Sequence, residues 1–104
     1  MERPEGLPST EELLTVEELR VALRIEVVAL AEYVELGVAT PRAGPEGRPC
    51  VTAADAERLS RALRLARELE LHPAGAALLV ELLDERERLR RRLEALECLV
   101  GPRG

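Results

Sequence analysis

Residues 15–37 read TVEELRVALRIEVVALAEYVELG, and this stretch decides the fold. Thr15 stands before an apolar run and Glu18 lies three residues after it, the spacing of a capping box in which the two residues satisfy each other's free backbone N–H groups. Val16, Leu19, Val21, Ala22 and Leu23 then supply a first helix of about two turns. Arg24-Ile25-Glu26 leaves room for a tight junction only. A second helix follows over residues 27–36, with Val27, Leu30, Ala31 and Val34 as its expected buried stripe. Gly37 ends it, because glycine readily takes the left-handed conformation just past a helix. Two short helices joined by a tight turn make a helix-turn-helix.

The segment that follows, residues 38–51, holds three prolines and two glycines, which excludes helix. Val38-Ala39 and Cys50-Val51 at its ends suit a small hairpin or wing. Thr52 is an N-cap, with Asp55 at the third helical position. The helix it opens spans residues 52–71, burying Ala56, Leu59, Leu63, Ala66 and Leu69. Its Arg58, Arg61, Arg64 and Arg67 interleave with Glu57, Glu68 and Glu70, so pairs such as Glu57/Arg61 describe a solvated face. His72-Pro73 breaks the chain, since a residue before proline avoids helical backbone, and Pro73 is well placed to start the next helix.

That last helix, residues 73–100, is the longest element. Leu79, Leu82, Leu89, Leu93, Leu96 and Val100 repeat at a and d positions of a heptad, with Arg86 the one charged intruder. Leu78 and Leu83 widen the stripe near its start; past Arg86 it narrows to a seam. A seam with none of its own chain left to cover it asks for a partner helix, so the sequence predicts a homodimer. The expected fold class is all-α: a leader at residues 1–12, a single domain at 13–100 (helix-turn-helix plus wing at 13–51, helix at 52–71, coiled-coil dimerisation helix at 73–100) and a tail at 101–104.

Composition supports this and narrows the function. The 104 residues are 46% hydrophobic and 34% charged, as in a soluble protein. Leucine supplies 20 of them, with no Phe or Trp and a single Tyr, so the core is aliphatic and suits helices. No stretch is apolar for long enough to span a membrane, and no secretory signal opens the chain; a cytoplasmic setting is expected, with Cys50 and Cys98 as small buried hydrophobes. The net charge of −5 lies wholly in residues 1–51, where ten acidic residues meet five basic ones, while residues 52–104 hold ten of each. Phosphate binding needs the opposite sign. An acidic half prefers a basic protein partner, the alternative being helix faces that are merely solvated.

Catalytic chemistry is not in view. His72 is the one histidine and abuts a helix-breaking proline, which suits a surface or capping role. The serines and threonines have no His to activate them. Two distant cysteines and one histidine do not make a zinc site, and the glycines at 44 and 47 lack the Lys and strand–helix unit of a phosphate cradle. No enzyme and no cofactor is expected.

The order of elements is similar to that of MerR-type regulators, and Tyr33-Val34-Glu35-Leu36-Gly37-Val38-Ala39-Thr40-Pro41 resembles their Tyr-Glu-x-Ile-Gly-Leu-x-x-Pro stretch. DNA-binding members carry Arg-Tyr just before that Tyr; here those places hold Ala31 and Glu32. A closer resemblance is to the CbpM family of chaperone modulators, themselves divergent MerR-like proteins. It rests on Leu14-Thr15-Val16-Glu17-Glu18-Leu19, on Leu36-Gly37-Val38-Ala39-Thr40-Pro41-Arg42 and on the run from Arg61 through Leu71-His72-Pro73-Ala74-Gly75 to Leu89, and covers roughly residues 13–96. The wing departs from the family by lacking an aromatic residue before Cys50-Val51. The resemblance implies a protein that binds the J-domain of a DnaJ-type co-chaperone and blocks its work with the chaperone DnaK; the alternative is a MerR-family transcriptional regulator.

J-domains use a basic helix in that work, so an acidic competitor is complementary to it. The residues expected to make the contact are Glu17, Glu18, Glu32 and Glu35, with Tyr33 either an aromatic anchor or part of the core. Glu81, Asp84, Glu85 and Glu87 on the last helix form a competing acidic cluster. Leu79, Leu82, Leu89, Leu93 and Leu96 are the dimerisation residues.

Overall fold

The structure is a computed structural model and describes residues 13–101; the expected leader and most of the expected tail lie outside them. In chain order the elements are β1 (Leu13–Thr15), α1 (Val16–Leu23), α2 (Val27–Glu35), β2 (Arg42–Ala43), a 3-10 turn (Pro45–Gly47), β3 (Pro49–Thr52), α3 (Ala53–Leu69) and α4 (Pro73–Val100). The capping box forms as read: the Thr15 and Glu18 backbone N–H groups donate to the Glu18 and Thr15 side chains, each at 3.0 Å. At the far end of α1, Arg24 takes left-handed backbone at φ 56°. Its N–H donates to the Val21 carbonyl and that of Ile25 to the Arg20 carbonyl, a Schellman closure that tightens the turn into α2. Gly37, at φ 84°, closes α2 in the same way through Gly37 to Val34 and Val38 to Tyr33.

The all-α expectation is corrected by a small antiparallel sheet of order β1-β3-β2. The wing hairpin is β2 against β3, with Arg42 opposite Cys50 and Ala43 opposite Pro49. The unexpected strand is β1, where Leu14 pairs with Val51 and Thr15 with Cys50. Three residues are too few to show strand periodicity; a buried central strand with a free edge recruits them. A Cβ on Gly44 would collide with the Cys50 sulfur, so the wing needs glycine there to close over its buried cysteine.

One apolar cluster holds the domain together, built from Leu19, Ile25, Leu30, Tyr33, Val38, Ala39, Val51, Leu59, Ala62, Ala76 and Val80. Thr52 caps α3 by accepting from the Asp55 N–H at 3.1 Å. The helix stops at Leu69, two residues short of expectation, because Glu70 turns left-handed at φ 55°; Leu69 is exposed. His72 caps α4, its Nδ1 accepting from the Ala74 N–H at 3.1 Å, with Pro73 at the first helical position.

α4 packs on the core through Ala76 and Val80, and its first half is fixed by an ionic brace. Asp84 receives Arg61 at 2.6 Å and Arg58 at 3.4 Å. Asp55, close to Arg58, also accepts the Thr40 N–H at 3.0 Å. Loop, α3 and α4 are thereby tied at one corner. Beyond it the helix leaves the domain, and residues 88–100 are all exposed. The radius of gyration of 17.1 Å, against about 13 Å for a compact chain of this length, reflects that arm.

Candidate protein interface

The expected contact residues divide once placed. Tyr33 is core: it is 2% exposed, and burial, helped by the neighbouring Glu32 charge, pushes its hydroxyl above the usual tyrosine range. As an aromatic anchor for a partner it is ruled out in this conformation. Glu18 belongs to the capping box. Glu17 is exposed, and its carboxylate takes Arg20 at 2.6 Å; hydrogen bonding from that guanidinium holds it below the usual glutamate range. Glu32 is half-buried and lies 3.9 Å from Nε2 of His72, on the loop before α4. Glu35 is exposed at the end of α2.

The core-facing side of α2 is Leu30 and Tyr33, with Ala29 and Val34 packed beside them. This shifts the stripe expected from the sequence. Val27 and Ala31, assigned to the core, point outward with Val28 and Glu35. Val27 is 64% and Val28 80% exposed. Stepping 100° per residue places Val27, Val28, Ala31 and Glu35 on one face opposite Leu30 and Tyr33. That face is the one the second helix of a helix-turn-helix offers to a major groove. It carries no side-chain hydrogen-bond donor.

α1 and the wing form a second feature, a shallow groove of about 450 Å³ lined by Thr15, Glu17, Glu18, Val21, Ala22 and Arg48. Val21, one of the apolar positions that mark α1 in the sequence, is exposed.

The competing acidic cluster on α4 is answered by arginines within the chain. Asp84 carries the brace. Glu85 pairs with Arg88, and Glu87 receives Arg90 at 2.7 Å and Arg91 at 3.0 Å. Hydrogen bonds from both hold the Glu87 carboxyl below its usual range. Only Glu81 of the four has no ion pair among the described residues. Leu82, Leu89, Leu93 and Leu96 line the outer side of α4, each between 50% and 59% exposed, whereas Leu79 is half-buried.

Cys50 is buried in the wing and Cys98 exposed on the arm, both as free thiols; the expectation that both are buried fails for Cys98, because nothing packs on α4 there. Among the described residues no three His, Cys, Asp or Glu side chains are grouped to hold a metal ion, and no helix is long and apolar enough to cross a membrane.

A winged helix-turn-helix followed by a long protruding helix is a recognisable arrangement. The family model for MerR helix-turn-helix regulatory proteins matches residues 14–98. The chain belongs to that family. Its match begins within β1 and runs to within two residues of the end of α4, so helix-turn-helix, wing and arm are one family unit. No curated protein matches the chain significantly.

Proposed function

We propose that this MerR-family domain is a non-catalytic modulator that binds another protein, and that its partner is the J-domain of a DnaJ-type co-chaperone, whose work with DnaK it inhibits. The observation that carries this reading is the outward face of α2. Reading base edges takes donors and acceptors in pairs, and holding phosphates takes cations. Val27, Val28, Ala31 and Glu35 offer neither cations nor donors. The acidic balance of residues 1–51 adds repulsion toward DNA and attraction toward a basic helix. With Tyr33 in the core and Glu18 in a cap, the contact is proposed to rest on Glu32 and Glu35, with Glu17 on α1. The same proposal includes a homodimer through the outer leucines of α4.

Two binding measurements test it. A purified J-domain should bind, and reversing Glu32 and Glu35 to Arg should weaken binding by about tenfold, or 1.4 kcal/mol, and flatten its salt dependence. Duplex DNA should show no gel shift at ~150 mM salt. A shift that persists there, with no J-domain binding, would make transcriptional regulation the better reading.

A further inference from the structure

We infer that Val27, Val28 and Ala31 form an apolar ridge on which a cationic amphipathic helix of the partner docks, its basic residues reaching Glu32 and Glu35. The inference deepens the protein-binding reading above and rests on it.

The ridge is costly for the fold. β-branched residues lose rotamer freedom in a helix and are poor surface choices, yet two adjoin at the start of α2 with most of their surface in water. Nothing local compensates. The N-cap, Glu26, makes no side-chain capping bond, and α2 has neither acidic residues in its first turn nor basic ones in its last. α2 stays helical because Leu30 and Tyr33 are buried beneath it. Breaking local rules on an exposed face is where function is expected.

Charge selects the occupant. Glu26 precedes the ridge, and Glu32 and Glu35 close its far end, with no Arg between residues 25 and 41. A second copy would bring the same carboxylates against themselves, and an anionic membrane would be repelled. An amphipathic helix with apolar and basic faces satisfies ridge and rim together, in the helix-against-apolar-surface mode of recognition. Apolar burial then sets how long the complex lasts, while the carboxylates set how fast it forms.

The test uses the full chain and three synthetic helical peptides: leucine stripe with lysines, the same stripe with glutamates, and lysines without a stripe. The leucine–lysine peptide should bind, perturbing the backbone amide signals of residues 27–31 and 35. Val27→Ser with Val28→Ser should weaken it by about tenfold or more through faster dissociation, with the helical signal of the protein unchanged. Equal binding of the lysine-only or the glutamate peptide overturns the inference, as do perturbations confined to another face. A change of oligomeric state in the valine variant, or binding of the native chain to anionic phosphatidylserine vesicles, overturns it in favour of those occupants. A J-domain that binds native and valine variant equally refutes the ridge and leaves the co-chaperone reading standing. A J-domain that fails to bind while the leucine–lysine peptide docks on α2 does the reverse.

Discussion

Replacing Leu89 and Leu93 with lysine is expected to turn the proposed dimer into a monomer, and the size of the effect follows from the arm of α4. In the single chain Leu82, Leu89, Leu93 and Leu96 each keep between 50% and 59% of their surface exposed. Fully burying a leucine is favourable by about 1.5–3 kcal/mol, so covering the exposed half contributes roughly 0.8–1.5 kcal/mol per side chain. Both copies supply the four leucines, for on the order of 6–12 kcal/mol gross. Association costs about 4–15 kcal/mol in lost freedom. The two are of one size, so the proposed dimer would depend on each leucine and on their neighbours Leu99 and Val100, which are more exposed still. Removing Leu89 and Leu93 from both copies takes away about half the apolar gain, roughly 3–6 kcal/mol, and weakens association by about two to four powers of ten. Neither residue touches the apolar core, so helical content and thermal unfolding of the domain should be unchanged at concentrations where both proteins are monomeric. Sedimentation equilibrium over a range up to ~100 µM, where an association of about −5.5 kcal/mol registers, reads the outcome. A native protein that is monomeric throughout, or a lysine variant that associates as the native chain does, refutes the seam.

Two further outcomes probe the helix-turn-helix. Spectroscopic titration of Tyr33 should place ionisation above the usual value of about 10. Because its folded value is raised, its contribution to stability is complete below the unfolded value and lost as pH rises through the folded one; a midpoint at or below the usual value would mean the ring is not in the core. Thr15→Ala should cost about 1 kcal/mol in urea unfolding, as for other N-caps, and Glu18→Ala a smaller part of it; no change in either would mean α1 is held by the sheet and core alone.

The parts of the fold legible in the sequence are those where chain chemistry acts on near neighbours. Thr15 with Glu18, Thr52 with Asp55, Pro73 and Gly37 each mark a helix end through contacts three or four residues long, and each end lies within about two residues of expectation. Where a distant partner decides, neighbouring residues carry no signal of it. β1 exists because Val51, far along the chain, offers it an edge. The Asp84 brace joins residues on separate helices. Glu70 ends α3 in left-handed backbone that glutamate seldom takes, and no residue pattern announces it. The wing, by contrast, was visible as apolar pairs flanking a proline- and glycine-rich loop.

On α2 the local pattern is ambiguous. Val27, Val28, Ala29, Leu30, Ala31, Tyr33 and Val34 place apolar side chains nearly all around the helix, so spacing alone permits more than one stripe. Tyr33 settles the phase: a ring this large lowers the free energy most by burial, and it draws Leu30 inward with it. Val27 and Ala31 are then turned to water. A helix apolar on both faces is ordinarily enclosed on both, and in the single chain only one face of α2 is covered. The ambiguity that hid the core stripe is what a helix with two packing partners would produce, one supplied by this domain and the other by the proposed partner protein. If Val28→Ser leaves every binding activity of the protein intact, the outer face of α2 has no partner and the apolar ridge is only a tolerated cost to the fold.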